Sequence, residues 1–146
     1  MGAGSRWSLL AAHGGAGVST LVALANHRRP QPLAQEFTGH LGYGQRPVVV
    51  LRGCASGADS AAQMTARWPL PDKPVLLVVA DAPFPMPALA RHRLEVISAS
   101  VTATIFVRYL AVLRELGDPV VALRQRSVAR AARRLQSSLD RLVRTG

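Results

Sequence analysis

His13-Gly14-Gly15-Ala16-Gly17-Val18-Ser19-Thr20 follows a short apolar run, Trp7-Ser8-Leu9-Leu10-Ala11-Ala12, and leads into a segment from Val18 to Ala25 suited to a helix. The apolar run reads as a buried strand, so the glycines fall at a strand-to-helix turn. Glycines there let backbone N–H groups converge on an anion, and the helix N-terminus adds favourable partial charge. In an active phosphate-binding loop a lysine follows the last glycine and reaches the β- and γ-phosphates. Here that position is Val18, an apolar side chain. The spacing predicts the fold of a phosphate-binding domain from which the chemistry has been removed.

The chain has 146 residues, which is one domain's worth and enough to bury a core. Apolar residues make up 49%, which argues against wholesale disorder. No apolar run reaches the length of a membrane span, and no charged n-region precedes a long apolar stretch at the N-terminus, so the chain reads as cytoplasmic. A lone cysteine, Cys54, excludes an internal disulfide and a cysteine zinc site. The net charge of +10 points to an anionic partner. Of the 18 basic residues, however, only Lys73 is lysine, a skew toward arginine that a GC-rich genome produces whatever the function.

Further along, His27 to Arg46 is polar and marked by Pro and Gly, and reads as a loop with a helical turn near Leu33–Phe37. Pro47–Leu51, Val75–Ala80 and Thr102–Val107 read as three more strands. Gly57–Trp68, a segment from Pro87 or Ala88 to Val96, Leu110–Leu116 and a long arginine-rich segment from Val120 to Val143 read as helices. Uncharged strands alternating with helices predict a three-layer α/β fold with a mostly parallel sheet. Residues 1–119 are the expected domain, and 120–146 a basic amphipathic C-terminal helix.

The turn resembles the deviant Walker A loop of the ParA/MinD family of P-loop ATPases, which reads Lys-Gly-Gly-x-Gly-Lys-[Ser/Thr]-[Ser/Thr]. Gly14, Gly15, Gly17, Ser19 and Thr20 match it, while His13 and Val18 stand at the two lysine positions. Two alignments of the rest compete. In one, Val75–Ala80 with Asp81-Ala82-Pro83 is a Walker B strand and switch. In the favoured one, Val48–Arg52 and Val75–Asp81 resemble late family strands, Asp81 stands at a base-contacting position, and the family's middle is reduced to residues 28–46. The whole chain is also similar to small actinobacterial proteins of this reduced P-loop type, some of which accompany conjugation and plasmid-transfer genes.

The resemblance implies a P-loop NTPase-like (Rossmann-like) domain, reduced, in which His13, Gly14, Gly15, Gly17, Ser19, Thr20 and Asp81 are a vestigial or weak nucleotide site. No cofactor is expected, and ATP or ADP with magnesium would be held only weakly, because phosphoryl transfer depends on cationic stabilisation and metal placement. His13 is a poor substitute for a phosphate-facing cation, being mostly neutral near pH 7. Arg124, Arg126, Arg130, Arg133, Arg134, Arg141 and Arg144 crowd the terminal helix, where they can track the phosphates of a nucleic acid, dock a partner, or form a plain solvated face. The reading is a non-catalytic pseudo-ATPase that binds a cognate protein, and nucleic acid as a second partner, in plasmid maintenance or conjugative DNA transfer. The alternatives are a nucleic-acid-binding accessory protein, and a weak ATPase or nucleotide-switched homodimer whose missing cation comes from an arginine.

Overall fold

The computed structural model describes residues 5–145, with the side chains of Arg114, Arg144 and Thr145 outside the description. Five strands, β1 (Trp7–Ala11), β2 (Ala34–Glu36), β3 (Arg46–Arg52), β4 (Val75–Val79) and β5 (Ala103–Val107), form one sheet in the order β2-β1-β3-β4-β5. Every pairing is parallel. The protein is an α/β domain with helices on both faces of the sheet, a Rossmann-like arrangement, and the mostly parallel sheet expected is parallel throughout.

β4 and the middle of β3 read as uncharged runs because both faces are covered there. Trp7, Leu9, Val48, Val50, Val75 and Leu77 point to one face, where they meet Leu21, Leu24 and Ala25 of α1 (Val18–Asn26). Val49, Leu51, Leu76 and Val78 point to the other, against Ala58 and Ala61 of α2 (Ala55–Ala66) and Ala90 and Leu94 of α3 (Ala88–Val96). Small residues on α2 bring it close: a Cβ on Gly57 would lie 2.1 Å from the Arg52 carbonyl oxygen, so only glycine lets the helix sit on the end of β3.

After β5 come α4 (Ala111–Leu116), α5 (Pro119–Ala122) and α6 (Arg126–Thr145). Gly117 ends α4 in the left-handed region at φ 70°, and Asp118 caps α5 by accepting from the Val120 N–H at 2.9 Å, with Pro119 at the first helical position. Ala122, Val128, Ala132, Leu135 and Leu139 belong to the same buried cluster as Trp7, Leu9 and Leu24, so α6 lies against α1 as part of this core.

Two sequence expectations need correction. Leu33–Phe37 holds no helical turn; Ala34–Glu36 is an edge strand. The Asn26 side chain makes it so, its Oδ1 accepting from the Leu33 and Ala34 N–H groups at 2.7 and 2.9 Å while Nδ2 donates to the Ala34 carbonyl at 2.9 Å. The expected single helix from Val120 to Val143 is two helices, with Leu123–Gln125 turning between them. Ala122 packs in the core at the end of α5, and Val128 re-enters it one turn into α6. The break lets both segments turn an apolar side inward.

Candidate functional site

In the order β2-β1-β3-β4-β5 the switch point lies between β1 and β3, and open α/β sheets bind ligands in the crevice beyond the strand ends there. The glycine turn occupies this place. Gly15 (φ 76°) and Gly17 (φ 96°) adopt the left-handed conformation, and Gly17 is the N-cap of α1, its carbonyl accepting from the Leu21 N–H at 3.0 Å. The turn therefore needs glycine at two of its three glycine positions for backbone reasons alone.

His13 is committed to backbone. Its Nε2 accepts from the Arg52 N–H at 3.1 Å, and its Nδ1 lies 2.9 Å from the Gly14 carbonyl oxygen. With Nε2 accepting, Nδ1 is the ring nitrogen placed to donate to the Gly14 carbonyl. The Arg52 side chain completes the latch, with Nε donating to the Gly15 carbonyl at 3.0 Å. Residues 13–15 are thus stitched to the end of β3, and both ring nitrogens of His13 are in use. Val18 is half-buried against the α1-side core.

A cleft of about 120 Å³ lies beside the turn, lined by Gly17, Thr20, Arg52, Ala80, Arg108 and Tyr109 with apolar neighbours. Small-molecule sites usually run to about 300–1,000 Å³, so this one has room for an anionic group rather than a whole nucleotide. Thr20 lines it, whereas Ser19 is exposed and does not. Asp81 follows β4 but borders a different cleft, with Gly53, Phe84, Met86 and Phe106, and it already has a partner. The fold therefore gathers Gly17, Thr20, Arg52 and Arg108 and leaves Asp81 apart. Sequence reasoning missed both arginines. Their one signal was position: each ends or follows a strand at the carboxyl edge of the sheet.

The second cationic surface is α6. Arg126, Arg130, Arg133, Arg134 and Arg141 are exposed, and at about 100° per residue they share one sector of roughly 100°, opposite Val128, Leu135 and Leu139. From first to last they span about 22 Å of helix axis. Asp140 is drawn off this stripe by Arg29, whose guanidinium donates to both carboxylate oxygens at 2.9 and 3.3 Å. Arg124 stands in the turn before α6, exposed, and the Arg144 side chain lies outside the described residues. Among the described residues no cluster of His, Cys, Asp and Glu is placed to hold a metal, and no helix is long and apolar enough to cross a membrane.

Compared with known proteins, the chain matches no family model, no curated protein and no solved structure.

Proposed function

We propose that the protein is a non-catalytic binding module whose working surface is the arginine face of α6 and whose partner is nucleic acid. The observation that carries this is the stripe itself: five exposed guanidinium groups on one helix face, with the helix's carboxylate, Asp140, held by Arg29. Duplex DNA carries one charge per about 1.7 Å of axis, so a stripe of about 22 Å has more than enough phosphates within reach. The reduced P-loop-like domain then serves as the rigid support, with α6 seated on α1 through Val128, Ala132, Leu135 and Leu139. Handling of plasmid or transferred DNA, the setting suggested by the similarity to small actinobacterial proteins that accompany conjugation genes, suits such a module.

Fluorescence anisotropy with a labelled duplex and a labelled single strand over a potassium chloride series tests it. Each phosphate neutralised on a duplex contributes about −0.9 to the slope of log K against log salt, so five contacts give about −4.5. Replacing Arg130, Arg133 and Arg134 by Gln should lower that slope by about 2.7. The control replaces three exposed arginines elsewhere, Arg6, Arg67 and Arg91, removing the same charge from other faces. Equal losses in the two triple variants, or no binding at low salt, would refute the assignment.

Arg52 favours a second reading. Its side chain bonds the Gly15 carbonyl and lines the same cleft as Thr20, so a nucleotide-switched form would use Arg52 in place of the missing lysine. Calorimetric titration with ATP and ADP, with and without magnesium, decides between them. Binding that appears only after Val18→Lys supports the pseudo-ATPase, and magnesium-dependent turnover by the natural chain overturns it.

A further inference from the structure

The second cleft at the carboxyl edge has no part in the nucleic-acid reading, and its construction is unlike that of the glycine turn. It measures about 470 Å³, within the ordinary range of small-molecule sites, about 300–1,000 Å³. One wall is the segment Asp81-Ala82-Pro83-Phe84-Pro85-Met86-Pro87 between β4 and α3. Prolines at alternate positions fix the backbone and remove three N–H donors, so this wall keeps its shape without presenting a row of polar groups. The opposite side is the sheet, with Val78, Phe106 and Val107, and the floor is the β3–α2 turn at Gly53 and Cys54. Met86 closes over that floor, its sulfur 3.5 Å from where a Cβ on Gly53 would stand.

Two features call for an occupant. Phe84 and Phe106, both lining the cleft, remain 74% and 63% exposed, an unfavourable place for two aromatic rings unless something covers them. In addition, Arg108 lines the same cleft and makes no hydrogen bond or ion pair with another described residue. Asp81 has a partner already, so among the described residues Arg108 is the lining cation beside this apolar cavity that has none. A recessed volume with a backbone floor suits a small molecule better than a flat protein surface.

We propose that this cleft binds a small apolar carboxylate, with Arg108 pairing the carboxylate and Phe84, Met86 and Phe106 enclosing the hydrocarbon. The recognition is that of a buried organic body with one anionic end: the guanidinium supplies a charge-assisted pair, and the apolar walls discriminate against small hydrophilic anions.

Calorimetry on the full chain with 4-phenylbutyrate, octanoate, the uncharged 4-phenylbutyramide and acetate tests this. One or both of the apolar carboxylates should bind, with the amide weaker and acetate silent. Arg108→Gln, an exposed substitution, should weaken the carboxylate by about tenfold or more while changing the amide by less than about twofold. Phe84→Ser, also at an exposed position, should weaken both. Carboxylate binding unchanged in Arg108→Gln, equal affinity for amide and acid, or no heat from either carboxylate at millimolar concentration would overturn the proposal. Melting curves of both variants establish that the fold is retained, and none of these outcomes depends on whether α6 binds nucleic acid.

Discussion

Gly57→Ala is the substitution that most directly tests how the sheet edge is built. The added Cβ would lie 2.1 Å from the Arg52 carbonyl oxygen and 3.1 Å from its carbon, and separations under 3.0 Å are not tolerated. Helix α2 must therefore retreat by at least about 0.9 Å, the difference between 3.0 and 2.1 Å. The obstacle is main chain, which cannot rotate aside as a side chain would, so the overpacking cost falls at the upper end of about 1–3 kcal/mol. Greater helix propensity returns up to about 1 kcal/mol. The net is a loss of about 2 kcal/mol, or roughly 6 °C in melting temperature for a domain near this size. Gly53→Ala is the matched control, since its Cβ would meet Val78, Met86 and the Val79 carbonyl at ordinary contact distances of 3.4–3.5 Å. Differential scanning calorimetry measures both. Because Arg52 also holds His13 and Gly15, nitrogen-15 spectra of the His13 ring should shift in Gly57→Ala and not in Gly53→Ala. A Gly57→Ala protein melting within a degree of the natural chain would refute the claim that α2 is seated on the backbone of β3.

Asn26→Ala removes the partner of two N–H groups and one carbonyl at the start of β2, and should cost about 2–3 kcal/mol in urea unfolding. A loss below about half a kcal/mol would mean that the edge strand holds without this side chain. Leu135→Ala should destabilise the whole domain by about 2–5 kcal/mol, with one unfolding transition seen by both tryptophan fluorescence and circular dichroism, because Leu135 is 2% exposed in the cluster that includes Trp7. If fluorescence and circular dichroism separated in this variant, with the sheet transition unmoved, α6 would be an independent arm rather than part of the core.

What the chain alone determined is the layer plan. Pro47–Leu51 and Val75–Ala80 are uncharged and β-branched enough to be strands buried on both faces, and helical segments separate them, which leaves little besides a parallel α/β sheet. The turn at Gly14–Gly17 was legible for the same local reason, since few other residues sit at positive φ just before a helix. The arginine stripe was legible as periodicity, although the turn at Leu123–Gln125 carries no Pro or Gly to announce it, and it moved Arg124 off the helix. Tertiary structure decided the rest. Ala34-Gln35-Glu36 has weak strand character, and a side chain eight residues earlier holds it in place. The meeting of His13 with Arg52 joins residues 39 apart, and the gathering of Thr20, Arg52 and Arg108 at one edge follows from strand order. Local propensity acts over a few residues. Which strand ends become neighbours is settled only when the whole sheet closes its two apolar faces, and both clefts are consequences of that order.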